Sequence, residues 1–120
     1  ADLYDIEDVG SISADVTGPT VTTTDPDDAE TGVAVSSNLT ATFSEDIRQG
    51  DIRNDNFTLI KASDGTEVSG TLTYSAATKT ATFDPTSNLE ADTAYIWIIA
   101  NVRDLAGNKM AKKVVNFQTA

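Results

Sequence analysis

Tyr95-Ile96-Trp97-Ile98-Ile99, followed by Asn101-Val102-Arg103-Asp104-Leu105-Ala106-Gly107-Asn108, is the stretch that decides the fold. A dense apolar run passes into a tight polar loop. With side chains alternating across an extended chain, Tyr95, Trp97 and Ile99 share one face and Ile96 and Ile98 the other. Gly107-Asn108 marks a backbone that must visit positive φ. Asp104 stands where a loop carboxylate can hold a turn or a cation. The stretch predicts a strong strand of a β-sandwich with a shaped loop behind it.

Working outward, about seven strands follow from alternation and turn signals beyond Pro19. They are 20–24, 38–43, 57–61, 70–75, 78–84, 93–100 and 112–119. Leu39, Ala41 and Phe43 oppose Thr40 and Thr42; Ala81 and Phe83 oppose Thr80 and Thr82; Val115 and Phe117 share a face. No segment sustains a 3.6-residue period, so helices are expected to be absent or single turns. Many short strands with frequent turn signals make the expected fold class all-β, a sandwich or a barrel. Leu89 lies six residues before Tyr95, a spacing that fits a tyrosine corner, in which the ring packs inward and the hydroxyl ties down the preceding connection.

The chain has 120 residues, enough for one domain with a modest core. Residues 1–18 read as an acidic lead-in closed by Thr17-Gly18-Pro19, and 19–120 as the sandwich. A net charge of −11 repels phosphates, which disfavours nucleic acid and anionic membranes and suits divalent cations. No cysteine is present, so disulfides and thiol chemistry are excluded. No apolar run is long enough to span a membrane. The first residues lack the basic and apolar regions of a signal peptide, so a piece of a longer protein is expected.

Several segments, in order, resemble the bacterial Ig-like domains of surface-layer proteins and large adhesins, the group often called Big_5 or SbsA Ig-like. They are Asp15-Val16-Thr17-Gly18-Pro19-Thr20-Val21, Thr31-Gly32-Val33-Ala34-Val35, Leu39 to Glu45, Ala81-Thr82-Phe83-Asp84-Pro85, Leu89 to Tyr95, and Asp104 to Asn108. Asp92 departs from the pattern, which usually has Gly there, and Trp97 is bulkier than usual. The resemblance implies an all-β, Ig-like β-sandwich of about seven antiparallel strands in two sheets, a non-enzymatic module of an exported bacterial or archaeal protein, on the cell surface or outside the cell. It would act as a spacer, stalk or adhesive unit among neighbouring domains. Some relatives bind calcium near domain junctions.

Ig-like topology would gather Asp15, the Ser44-Glu45-Asp46 loop, Asp104 and Asn108 at one end. Carboxylates and amide oxygens are the ligands Ca²⁺ prefers, so Asp15, Glu45, Asp46, Asp104 and Asn108 form a candidate calcium set. The competing expectation is that Asp104 caps its own turn and Asn108 takes the left-handed conformation. Asp25-Pro26-Asp27-Asp28-Ala29-Glu30 is expected as a solvated loop at the opposite end, or as a junction with a neighbour. It lacks the Gly and Glu of an EF-hand. Arg53-Asn54-Asp55-Asn56 resembles a cadherin linker only by coincidence. The sequons at Asn38 and Asn56 are expected to be silent.

Ile96 and Ile98, with Ile60 and Val114 on neighbouring strands, form an outward apolar patch on a sheet expected to be wet. The lead-in Leu3–Ile12 is the expected cover. With no His and no Cys, nucleophilic catalysis has no base-activated nucleophile to work with. A carbohydrate- or other ligand-binding module, or an accessory domain of a polysaccharide-degrading enzyme, is the alternative. Carbohydrate binding would need exposed aromatics, yet apart from Tyr4 these fall mostly on inward positions.

Overall fold

A computed structural model describes residues 17–120. Asp15 and the lead-in over Leu3–Ile12 lie outside the described residues, so the expectations resting on them stay outside as well. Eight strands follow in order: β1 (Val21–Asp25), β2 (Glu30–Val33), β3 (Leu39–Phe43), β4 (Phe57–Lys61), β5 (Gly70–Ser75), β6 (Thr80–Pro85), β7 (Ala94–Ile99) and β8 (Lys113–Thr119). The one helical element among the described residues is a single 3-10 turn, Gln49–Asp51. Two four-stranded sheets, β1-β3-β6-β5 and β2-β8-β7-β4, face each other.

The alternation expected from the sequence sets the layers. In β7, Tyr95, Trp97 and Ile99 are buried while Ile96 and Ile98 are half-buried. In β3, Leu39, Ala41 and Phe43 are buried. These meet Phe57, Leu59, Ala81, Phe83, Val115 and Phe117 in one core. Each large side chain fully removed from water contributes about 2 kcal/mol. Phe57 ties the sheets together. Its ring meets Phe43 edge-on at 6.2 Å and Trp97 at 6.4 Å. The outer face of the first sheet is polar: Thr40 pairs with Thr82 and Thr42 with Thr80, and the latter two hydroxyls share a hydrogen bond of 3.0 Å.

The tyrosine corner is present. The Glu90 N–H donates to the Tyr95 hydroxyl at 2.9 Å. Asp92, which stands where the resembled pattern has Gly, has φ of 51°, the left-handed conformation for which Gly is the unstrained choice.

Two expectations change. β2 is an added strand, and it pairs with β8 in parallel, so the sandwich is not wholly antiparallel. Four residues with Gly32 among them carry little alternation, and a parallel partner far along the chain leaves no local trace. The acidic loop 25–30 is not at an end. It crosses the side of the sandwich from β1 to β2, where Ala29 N–H donates to Asn116 O and Asp28 Oδ1 accepts from Asn116 N–H, at the middle of β8.

That crossing sets where the chain comes in and goes out. Gly18 lies so close to Lys109 that a methyl group there would overlap the Lys109 carbonyl, which fixes the incoming chain beside the approach to β8. The outgoing chain leaves at Ala120, whose N–H donates to Val33 O at 2.9 Å and whose carbonyl accepts from Asp92 N–H at 2.8 Å. The seven residues of β8 lie between these points and span roughly 23 Å. The first and last described residues are therefore at opposite poles of the sandwich.

Candidate functional site

The loop after β7 and the loop after β3 do meet, as the topology predicts. Ile47 bridges Asp104, Arg48 N–H donates to Arg103 O at 2.9 Å, and Arg48 Nε donates to Asp104 O at 3.2 Å. Asp104 is almost wholly buried. Its Oδ1 accepts from Asn108 N–H at 2.8 Å and its Oδ2 from Asn108 Nδ2 at 3.2 Å. Asp104 N–H donates to Asn108 O and Gly107 N–H to Asp104 O. The left-handed residue is Gly107, at φ of 97°, rather than Asn108. The Arg48 guanidinium packs where a side chain on Gly107 would project.

This arrangement shapes a turn. Among the described residues no three carboxylates come together as a metal-holding group. Asp46 accepts from the Tyr74 hydroxyl at 3.1 Å, and burial, helped by that carboxylate, pushes the Tyr74 phenol upward. Glu45 is half-buried on the same loop. The structure thus brings the loops of Glu45, Asp46, Asp104 and Asn108 to one pole, while the oxygens of Asp104 serve the turn and a guanidinium stands beside it.

A stronger electrostatic feature at this pole went unread in the sequence. Asp51 accepts three bonds from Arg103: backbone N–H to Oδ2 at 2.9 Å, Nε to Oδ2 at 3.2 Å and Nη2 to Oδ1 at 2.9 Å. The Asp51 side chain is 6% exposed and that of Arg103 41%. The Arg103 side chain is the chief cause holding the Asp51 carboxyl below the usual carboxylate range. Asn56, in the tetrapeptide that resembles a cadherin linker, is buried and donates from Nδ2 to Asp51 O at 2.9 Å. These residues floor an open polar hollow of about 410 Å³ rimmed by Arg53, Asp55, Asn101 and Lys109. The two partners lie 52 positions apart, and charge alone does not pair residues at that distance.

The apolar patch sits as its register requires. Ile60 is opposite Ile96, and Ile98 is opposite Val114, so the four occupy adjacent rungs of one face. The isoleucines are half-buried and Val114 is 38% exposed. The aromatics point the other way: Phe43, Phe57, Phe83, Tyr95, Trp97 and Phe117 are all buried. Tyr74 is half-buried, and Tyr4 lies outside the described residues. Leu105, at the tip of the β7–β8 loop, is the most exposed large apolar side chain among the described residues. No helix among them is long and apolar enough to cross a membrane.

A family model for the bacterial Ig-like domain matches residues 15–119. No curated protein matches the sequence. Among solved structures, the S-layer protein rSbsC is similar, with a TM-score of 0.64 at 18% identity over 85% of this chain. The chain spans 13% of that protein's length. PcoC, a methionine-rich copper resistance protein from Escherichia coli, has a TM-score of 0.68 at 16% identity, covering 85% of this chain and 98% of that one. L,D-transpeptidase 1 from Mycobacterium tuberculosis has a TM-score of 0.55 at 13% identity, covering 85% of this chain and 39% of that one. At these identities the likeness is one of fold. The methionine-rich character of PcoC is not shared, since Met110 is the single methionine here and there is no histidine.

Proposed function

We propose, from the premise that the chain belongs to the bacterial Ig-like domain family, that it is a non-catalytic spacer module of a larger protein at the cell surface or outside the cell. The observation that carries this reading is that the first and last described residues lie at opposite poles. Gly18 packs on Lys109 at one pole, and Ala120 leaves at the other. A module traversed from pole to pole adds its length to whatever it joins. The likeness to an S-layer protein many times longer supports the same setting.

Adhesion to a carbohydrate is the alternative, and the inward aromatics count against it. Sugar faces stack on exposed rings, and the described rings are buried except for half-buried Tyr74. Calcium stiffening is the finer part of the proposal. Glu45, Asp46, Asp104 and Asn108 offer oxygen ligands at the incoming pole, with Asp15 needed to complete the set. The protein as a whole chain, screened on a glycan array and melted with and without millimolar calcium, tests both. The spacer reading predicts no glycan signal above background, and a signal abolished by mutating Tyr74 would replace it with the adhesive reading. A melting temperature raised by calcium would establish the stiffening, and an unchanged one would remove it.

A further inference from the structure

The two outer faces of the sandwich differ in kind. That of the first sheet carries threonines, with Thr40 opposite Thr82 and Thr42 opposite Thr80. That of the second carries Ile60, Ile96, Ile98 and Val114 on adjacent rungs. The three isoleucines are half-buried and Val114 is exposed, so the four leave apolar surface against water. The patch crosses the sheet instead of following one strand. Val114 is on β8, Ile98 and Ile96 are on β7 and Ile60 is on β4, three neighbours in the sheet. Two strand spacings make it about 10 Å wide. Val114 and Ile98 form its edge toward the incoming pole, next to the rung that pairs Ile99 with Lys113.

We propose that Leu3–Ile12 of the same chain is the occupant of this face, laid across β8, β7 and β4. Three observations support that choice: reach, apolar content and charge. Five steps of chain separate Ile12 from Thr17, and five separate Lys109, beside which Gly18 enters, from Val114. Each is about 17 Å at full stretch, so Ile12 reaches the near edge of the patch. Leu3, Tyr4, Ile6, Val9 and Ile12 put five large apolar side chains into ten residues, more than a solvated linker carries. Residues 1–16 also hold five carboxylates, Asp2, Asp5, Glu7, Asp8 and Asp15, and no cation. The eight Lys and Arg of the chain all fall within the described residues. Of these Lys61 alone lies toward the outgoing pole, at the end of β4. The other seven stand in the β3–β4, β5–β6 and β7–β8 connections or at the head of β8. Lys109, Lys112 and Lys113 mark the way from Gly18 to Val114, so an acidic segment is drawn to the side of the molecule where the patch begins. Crossing the strands does not carry the chain back to the outgoing pole, which leaves the end-to-end path intact. The family match starts at residue 15, so this cover lies outside what the family shares. The contact is within one module, and it stands or falls apart from the spacer reading.

The test is nuclear magnetic resonance on the whole chain with its Leu, Ile and Val methyl groups labelled. The expected result is a set of Overhauser contacts between methyls of Leu3, Ile6, Val9 or Ile12 and those of Ile60, Ile96, Ile98 and Val114. A double variant, Ile96→Thr with Ile98→Thr, removes the centre of the patch. Threonine keeps the branched Cβ that suits a strand, and both positions face away from the core. In that variant the contacts from the segment to Ile60 and Val114 should be lost. The dispersed methyl signals of Leu39, Leu59 and Val115, all buried, show at the same time that the core is still folded. A sample mixed from labelled and unlabelled copies reads contacts between molecules alone, and none is expected there. Contacts in the mixed sample would give the face to a second copy and overturn the proposal. No contact between the two sets of methyls in the parent, or contacts that survive in the folded double variant, would overturn it as well.

Discussion

Replacing Asp51 by alanine should lower the stability of the domain by about 3 kcal/mol at neutral pH. The carboxylate is nearly buried, and it satisfies the Arg103 backbone N–H as well as the guanidinium. The guanidinium is partly exposed, so water can take it over after the substitution, and the side-chain pairing itself is worth less than a fully buried one. Most of the loss comes from the Arg103 backbone N–H, which has nowhere else to turn, and from the void under the loop. In a domain whose whole stability is about 5–15 kcal/mol, this is a large fraction. A melting temperature lower by roughly 10 °C is expected. Asp51→Asn keeps an acceptor for the backbone N–H and should lose about half as much.

The effect carries a pH signature with a definite sign. Arg103 holds the folded-state pKa of Asp51 below its ordinary value of 3.8. A carboxyl depressed in the folded state contributes stability that is fully present above the unfolded value and lost as the pH falls through the folded one. The gap in melting temperature between the parent and Asp51→Ala should therefore be full from neutral pH down to about 4 and narrow in more acid solution. A gap that stayed constant down to pH 2, or widened, would contradict the assignment. Thermal melts across that range supply the measurement.

The second large effect lies in the core. Trp97→Ala should cost about 4 kcal/mol, since it empties a site that is fully buried and touches Phe57. Trp97→Phe is the more instructive substitution. The indole Nε1 is a buried donor without a hydrogen-bond partner among the described residues, and an unpaired buried donor costs about 1–3 kcal/mol. Phenylalanine removes that donor along with part of the ring's volume, so the two changes oppose each other. Trp97→Phe should cost no more than about 1 kcal/mol, far less than volume loss alone implies. Chemical denaturation of the three proteins would show it. A loss for Trp97→Phe close to that for Trp97→Ala would mean that the indole N–H is satisfied in solution.

The sandwich was legible where its causes are local. The alternation of Tyr95, Trp97 and Ile99 with Ile96 and Ile98 is the periodicity of the chain itself. The spacing of Leu89 and Tyr95 belongs to one connection, and the hydroxyl bond to Glu90 followed from it. The left-handed backbone at Asp92 gives a physical reason for the Gly that the resembled pattern has there, a reason the sequence reading did not draw. What escaped depends on partners far along the chain. β2 has four residues and borrows its order from β8, more than eighty positions away. Asp51 finds Arg103 only after two loops have been brought to one pole. Asp28 looked like part of a solvated acid cluster because its partner is a backbone N–H on β8, which no side-chain pattern reveals. The loop of Asp104 showed its turn chemistry in the sequence, down to the Gly-Asn pair. In the folded loop both of its carboxylate oxygens accept hydrogen bonds from Asn108.

The central claim is that this module holds its neighbours apart, end to end. Small-angle X-ray scattering of two copies joined in natural order, residue 120 to residue 1, tests it most directly against a single copy. Opposite poles for the incoming and outgoing chain predict a maximum dimension roughly twice that of the single copy, with a scattering profile of an elongated particle. A maximum dimension close to that of one copy, with the two sandwiches packed side by side, would contradict it.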